Sequence, residues 1–242
     1  MIDAHAAPHS VLGIVPARGG SKGIPRKNAR SMAGKPLLEY TAHAALSASS
    51  LSRILLSTDD PEIAAIGRAA GLEAPFLRPA ELSLDSTPMV QVVSHVVEWV
   101  QARGLRYEAV CVLQPTSPLR SPATIDRCVA LLWERDVDSV ISVRPVPPEY
   151  NPHWVYFESS TGLLERSVNG PEIFCRQELP PAYHPDGSVF VTRTEVVMGE
   201  HSLRGKHMIG AVSPKREAVD LDTEEQWREL EQQLQSAYQQ AH

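Results

Sequence analysis

Between Ala17 and Asn28 the chain reads Ala17-Arg-Gly-Gly-Ser-Lys-Gly-Ile-Pro-Arg-Lys-Asn28. Three glycines stand among the cations Arg18, Lys22, Arg26 and Lys27, Arg30 follows two positions on, and no acidic residue interrupts them. Glycine lets backbone N–H groups approach an anion closely, and Arg and Lys neutralise it, so these residue types at this density are chemistry for a phosphate chain. The loop matches neither G-x-x-x-x-G-K-S/T nor G-x-G-x-x-G and is a phosphate loop of another kind. A second candidate is Asp220-Leu221-Asp222. In an extended segment residues i and i+2 point to one side. Two carboxylates so placed can hold a hard cation such as Mg2+, which takes oxygen ligands and is commonly shared with substrate phosphates. Asp222 also directly precedes Thr223-Glu-Glu-Gln226, a capping box, and has a competing role as a helix cap. A third candidate is Gln114-Pro-Thr-Ser-Pro-Leu-Arg120, where the Gln114 amide offers a donor and an acceptor to a hydroxylated ligand. Arg78 either reads a base edge or pairs with Glu81. His95, in a valine-rich stretch, reads as structural. Ser57 and Ser117 lack the G-x-S-x-G context of a serine hydrolase.

The elements that must position these residues alternate in type. Val11–Val15 is an apolar run that empties into the glycine-rich loop, and Arg53–Ser57, Ala109–Leu113 and Ser139–Val143 are similar runs. Between them lie helical periods opened by Pro36, Pro61, Pro88 and Ser121-Pro122. This alternation predicts a mainly parallel sheet with helices on both faces. The ends of parallel strands then bring the 16–28 loop and the 114–120 loop to one edge, the usual ligand edge of an open α/β sheet. The pattern breaks over 144–186, which holds eight of the 20 prolines and six of the 14 aromatics without a long periodic helix. It reads as an insertion from a core of 11–143 and 187–242, and its aromatic content suits an interface such as that of a dimer. Ser188–Thr192 and Met208–Val212 resume the sheet, and Trp227, Leu230, Leu234, Ala237 and Tyr238 mark a final packing helix. Residues 1–10 read as a frayed terminus.

Composition sets the outer bounds. At 242 residues there is room for one large domain with an insert. A net charge of −6 argues against a nucleic-acid binder, which makes the local cation cluster the more specific. Three cysteines without C-x-x-C spacing read as buried free thiols in a reducing compartment. No secretory leader and no membrane span is evident, so a cytoplasmic protein is expected.

Taken together, these residues resemble the acylneuraminate cytidylyltransferases, the CMP-sialic acid synthetases. The resemblance is carried by the loop Pro16–Asn28, then by Ser57-Thr-Asp59, Leu77-Arg-Pro-Ala-Glu-Leu82, Leu113-Gln-Pro-Thr-Ser-Pro-Leu-Arg120, Arg176-Gln-Glu-Leu-Pro180 with Asp186-Gly187, and Asp220-Leu-Asp222. It implies a Rossmann-like α/β fold, a homodimer joined through the 144–186 arm, and transfer of CMP from CTP to a 2-keto-3-deoxy sugar acid with release of pyrophosphate. Arg18 and Lys22 would hold the triphosphate and Lys27 the α-phosphate. Ala17, Gly19, Gly20, Asn28, Arg78 and Thr87 would complete the nucleotide site, with the Ala17 backbone and Arg78 at the cytosine. Gln114, Arg176 and Phe190 would meet the sugar, Arg176 from the partner subunit, and Asp220 and Asp222 would bind Mg2+. Two positions depart from the family's pattern: Met89, where a small hydroxyl residue is expected, and Phe190, where tyrosine is expected. Leu113-Gln-Pro115 favours sialic, legionaminic or KDN-like acceptors over pseudaminic acid. A nucleotidyltransferase acting on a sugar 1-phosphate and a non-catalytic nucleotide-binding module are the alternatives.

Overall fold

The computed structural model describes residues 9–217 and 219–240, with side chains through 236. In chain order the strands are β1 (Val11–Pro16), β2 (Ser31–Met32), β3 (Lys35–Pro36), β4 (Arg53–Ser57), β5 (Ala109–Val112), β6 (Ser139–Pro145), β7 (Tyr156–Glu158), β8 (Leu164–Arg166), β9 (Tyr183–Arg193) and β10 (Met208–Val212). The helices are α1 (Leu37–Leu46), α2 (Pro61–Ala69), α3 (Met89–Gln101), α4 (Pro122–Glu134), α5 (Thr194–Glu200) and α6 (Glu224–Gln240). Six strands form one sheet in the order β10-β6-β9-β5-β1-β4. β1 pairs in parallel with β4 and β5, and β10 with β6, while β9 runs antiparallel between β5 and β6. The sheet is mixed and mainly parallel, the Rossmann-like arrangement that the alternation predicts.

Alternate residues of β1 and β5 feed two cores. Val11, Val15, Cys111 and Leu113 pack with Leu38, Ala42 and Ala45 of α1, Ile63 of α2 and Ile125, Cys128 and Leu132 of α4. Leu12, Ile14, Val110 and Val112 pack on the other face with Val93, Val96, Val97 and Val100 of α3 and Val197 of α5. Strands buried on both faces read as continuous apolar runs, which is why these were visible from sequence. A third cluster joins Ile24 of the glycine-rich loop to Met32, Leu37, Leu221, and Trp227 and Leu230 of α6. Each of these apolar side chains, taken fully out of water, contributes roughly 1.5–3 kcal/mol, enough to pin the loop and the 220–222 segment to the same helix.

Several boundaries differ from expectation. Of the expected frayed terminus, residues 1–8 lie outside the described residues. Ser10 is tied to Glu108: its carbonyl accepts from the Glu108 N–H at 2.9 Å, and its own N–H donates to the Glu108 carboxylate at 2.9 Å. β6 runs on to Pro145 and β9 starts at Tyr183, with Val143, Arg144 and Pro145 opposite Pro185, His184 and Tyr183. The excursion from the sheet is therefore 146–182 rather than 144–186. It carries short 3-10 turns and the β7–β8 hairpin. Tyr150, Phe157, Leu163, Leu164 and Phe174 all stand exposed on it. Cys175, also on it, is exposed, while Cys111 and Cys128 are buried as expected. None of the described helices is long and apolar enough to cross a membrane.

Candidate active site

At the C-terminal ends of β1 and β5 a cavity of about 340 Å³ opens. The loop after β1 supplies Arg18, Lys22, Gly23, Lys27 and Asn28. The segment from Arg78 to α3 supplies Arg78, Asp85, Thr87 and Met89. The loop after β5 supplies Gln114 and Thr116, and the entry to α6 supplies Asp222. Four stretches far apart in sequence thus converge on one edge of the sheet, as the topology requires.

The five cations of the loop divide into two groups. Arg26 turns away, with its backbone in the left-handed region at φ +55°, and its guanidinium pairs with Asp60 and Glu62 of the α2 entry. Arg30 donates to Glu224 at 2.6 Å and lies over the Trp227 ring. These two anchor the loop to α2 and α6. Arg18, Lys22 and Lys27 face the cavity. Lys27 Nζ donates to the Leu221 carbonyl at 2.6 Å and lies 3.4 Å from Asp222 Oδ1, so the loop and the acidic segment are joined at the site itself. Gly23 is obligatory there, because a Cβ on it would collide with the Asp222 carbonyl oxygen. The Gly19 N–H donates to Asp59 Oδ1 at 3.0 Å, and a Cβ on Gly19 would lie 2.6 Å from an Asp60 carboxylate oxygen.

Arg78 is almost fully buried. Its Nε donates to Ser83 Oγ at 3.1 Å and its Nη2 lies 3.7 Å from Asp59, so its acidic neighbour is Asp59 and not Glu81. Burial holds the Arg78 guanidinium below its usual range, Asp59 opposes that shift, and Arg18 adds to it. The acidic segment is fixed by Leu221, whose N–H donates to the Thr116 carbonyl at 2.9 Å and whose side chain is fully buried. Thr223 caps α6: its hydroxyl accepts from the Gln226 N–H, while Gln226 Oε1 accepts from the N–H groups of Thr223 and Asp222. The capping box thereby frees the Asp222 carboxylate for the cavity. Burial pushes the Asp220 carboxyl above its usual range; Thr116 opposes this through a hydrogen bond, and Asp222 raises it further by repulsion. Two carboxylates that repel each other at the edge of a cationic cavity are a donor set suited to a divalent cation. Among the described residues no cluster of three acidic, histidine or cysteine side chains exists to hold a metal without further ligands. Substrate phosphates would have to complete the shell, the usual arrangement for Mg2+.

A family model described as "Cytidylyltransferase" matches residues 12–197, most of the chain. The chain belongs to the cytidylyltransferase family. Among relatives of this cytidylyltransferase, the CMP-N,N'-diacetyllegionaminic acid synthase of Legionella pneumophila is 32% identical over 223 residues, covering 90% of this chain and 93% of that one. The pseudaminic acid cytidylyltransferase of Campylobacter jejuni is 29% identical, covering 88% and 90%. The N-acylneuraminate cytidylyltransferase of Escherichia coli is 28% identical, covering 88% of this chain and 49% of that longer protein. In fold, the chain is similar to CMP:2-keto-3-deoxy-manno-octonic acid synthetase complexed with CTP, with a TM-score of 0.69 at 14% identity over 94% of this chain and 99% of that one.

The expected site residues of this cytidylyltransferase are sorted unevenly by the structure. Arg18, Lys22, Lys27, Asn28, Arg78, Thr87, Gln114 and Asp222 line one cavity, and Met89 lines it with them. Asn28 also holds the loop together, its Nδ2 donating to the Arg18 carbonyl at 3.0 Å. Ala17 is not among the lining residues: its N–H is taken by the Ser57 carbonyl at 2.9 Å. Gly20 is exposed and outside the lining. Phe190 is half-buried on β9 opposite Val112 and Ile141, packs against the α3 and α5 core, and is not among the lining residues. Arg176 stands exposed on the arm, apart from this chain's cavity. Asp220 lies beside the cavity, in a neighbouring depression with Arg144 and Gln226. Three residues were missed. Asp85 pairs with both Arg18 and Lys22. Asp59 accepts from Gly19. Arg120, quoted above only as part of a motif, is a buried brace that donates to Thr41 Oγ1 at 3.0 Å and to the carbonyls of Gln114 and Ser188. Burial lowers its pKa to about 10. Asp59 stands above in the Ser57-Thr-Asp59 motif without a role, and nothing in local sequence marks Asp85 or gives the partners of either, which lie on other segments.

Proposed function

We propose that this cytidylyltransferase activates a nonulosonic acid, transferring CMP from CTP to the sugar's anomeric hydroxyl and releasing pyrophosphate. The observation that carries this reading is the convergence of Arg18, Lys22 and Lys27 with Asp222 and Gln114 on one cavity. Three cations suit a triphosphate, Arg78 suits the edge of a base, and the Gln114 amide suits a hydroxylated acceptor. The names and overall likeness of the legionaminic and N-acylneuraminate relatives support an acceptor of that class.

The chemistry is a displacement in line at the α-phosphorus. The bond from the acceptor oxygen to phosphorus forms as the bond from phosphorus to the bridging oxygen breaks, and pyrophosphate leaves with that electron pair. The hydroxyl proton passes to a carboxylate of the Asp220–Asp222 pair. Lys27, fixed by Leu221 and Asp222, faces the charge that develops on the α-phosphoryl oxygens. Arg18 and Lys22 stabilise the leaving pyrophosphate, so that catalysis is positioning and charge neutralisation. Mg2+ held by Asp220 and Asp222 would add Lewis acidity to the phosphates and acidify the attacking hydroxyl. The exposed apolar side chains of the 146–182 arm support a homodimer, with Arg176 carried to the partner's cavity. The acidic net charge and free thiols suit a cytoplasmic enzyme without a nucleic-acid or membrane partner.

Pyrophosphate release tests the proposal, with CTP, GTP, UTP and ATP crossed against N-acetylneuraminate, legionaminate, KDN, pseudaminate, KDO and a sugar 1-phosphate. Release with CTP and a nonulosonate alone is the expected result. Release only with a sugar 1-phosphate would overturn it.

A further inference from the structure

Asp85 sits in the cavity that the triphosphate is proposed to fill, and the two cations assigned to that triphosphate already hold it. One carboxylate oxygen pairs with Arg18 Nη1, and the other lies 2.6 Å from Lys22 Nζ. The residue rides on the turn between the 80–82 3-10 helix and α3. That turn is fixed at its base, where the Arg78 N–H donates to the Thr58 carbonyl at 2.7 Å and the Thr87 hydroxyl donates to the Glu81 carbonyl at 3.2 Å. Its tip is bare, since Leu84 is 59% exposed and Lys22 reaches it from water with 82% of its side chain exposed. Ion pairs so placed add little to the stability of a fold, so the fold itself does not require Asp85 to bridge these two cations.

The bridge does have a consequence for an anion. Arg18 and Lys22 are held together, with their mutual repulsion neutralised, around two carboxylate oxygens inside the cavity proposed for the triphosphate. We infer that Asp85 is a positioning residue that stands in for a phosphate in the empty protein, is displaced by the triphosphate of the incoming nucleotide, and returns as pyrophosphate departs. The inference rests on the phosphate reading of Arg18 and Lys22. Asp85 then weakens polyphosphate binding and speeds release, because each phosphate must compete with a tethered anion on entry and is expelled by it on exit. The two cations are in turn kept in gripping geometry between turnovers. Interaction with the pair already holds the Asp85 carboxyl below its usual range, first through Lys22 and then through Arg18, so it is ionised at neutral pH and available to compete.

Calorimetric titration of the full chain with tripolyphosphate and with pyrophosphate tests this, comparing the wild type with Asp85→Asn and Asp85→Glu. Asp85→Asn is expected to bind both probes about threefold to tenfold more tightly, the scale set by losing two solvent-exposed competing ion pairs. The gain should shrink as ionic strength rises. In turnover the same variant should show a lower KM for CTP together with a lower kcat, as pyrophosphate lingers, and Asp85→Glu should restore wild-type values. A residue that merely stabilised the turn would move the unfolding midpoint and not this KM-against-kcat split. Equal or weaker polyphosphate binding by Asp85→Asn, with an unchanged unfolding midpoint, would overturn the inference. Failure of the wild type to bind either probe would overturn the phosphate reading first, and the role of Asp85 with it.

Discussion

Lys27 joins the two sequence motifs that the chemistry needs, and its contacts say which substitutions matter. Asp222 is 68% exposed at its side chain and gives the fold little, so Asp222→Ala should leave the unfolding midpoint unchanged. Turnover, followed as pyrophosphate release, should fall more than about a hundredfold, since the proposed mechanism would lose a charged group at the reacting phosphate. Near-normal turnover with Mg2+ would remove Asp222 from the site. Gly23→Ala acts on the same joint through backbone. The new Cβ must push the loop off the Asp222 carbonyl, which separates Lys27 from Leu221. Both kcat and the unfolding midpoint should drop, the latter by about 1–3 kcal/mol of stability, the usual cost of overpacking. A wild-type midpoint would mean that the loop is not seated on the 220–222 segment. The loop's cations were legible in sequence as a cluster, but their division of labour was not. Arg26 finds Asp60 and Glu62, 34 and 36 positions on, and Arg30 finds Glu224, 194 positions on, so no local pattern separates anchors from ligands.

Among the elements, strands and helices that bury two faces or carry caps were legible, because burial and capping leave marks in the local sequence. Asp60 accepts from the N–H groups of Glu62 and Ile63, and Ser121 from that of Thr124, just where Pro61 and Pro122 signal helix starts. α5, at seven residues, is too short to show a period. The first turn of β9, Tyr183-His-Pro-Asp-Gly, has the composition of a loop and becomes strand only because Arg144 and Pro145 of β6 pair with it. That extension sharpens a test of the arm. Pro145 and Tyr183 are cross-strand neighbours, so residues 146–182 can be replaced by a short turn without breaking the sheet. The shortened chain should fold, sediment as a monomer and lack turnover, since the proposed homodimer would lose both its interface and the Arg176 it lends. A dimer at the same concentration would place the interface elsewhere, and an active monomer would refute the shared site. Arg120 makes an opposite prediction. It ties α1, the 114–120 loop and β9 from a buried position, so Arg120→Met leaves several carbonyls unpaired. Denaturant unfolding should show a loss of about 3–5 kcal/mol.

For the molecule as a whole, an acidic protein has assembled a cationic cavity beside an acidic pair, and the pair is a local cost to stability. Most shifted carboxylates here favour the folded state. Asp138 is held below its usual range by the N–H groups of His207 and Lys206, and Glu108 by the Ser10 N–H and then by His9. Their contribution is complete above the unfolded carboxylate value of about 4 and is lost as pH falls through the lower folded values. Asp220 has the other sign. Burial first, and Asp222 after it, raise its folded value, so its ionised form disfavours folding above that value and the penalty is relieved as pH falls through it. Asp220→Asn keeps the acceptor for Thr116 and removes the buried charge. At neutral pH without metal the variant should therefore melt at a higher temperature than the wild type, while pyrophosphate release is abolished. The difference should close as the pH is lowered and Asp220 in the wild type takes its own proton. Mg2+ gives the complementary readout, because a ligand of the native state alone raises the unfolding midpoint. Titrated in the presence of CTP, it should stabilise the wild type and lose most of that effect in Asp220→Asn. If the variant is less stable than the wild type at neutral pH, the Asp220 charge is compensated by its neighbours and the site is not held at the expense of the fold.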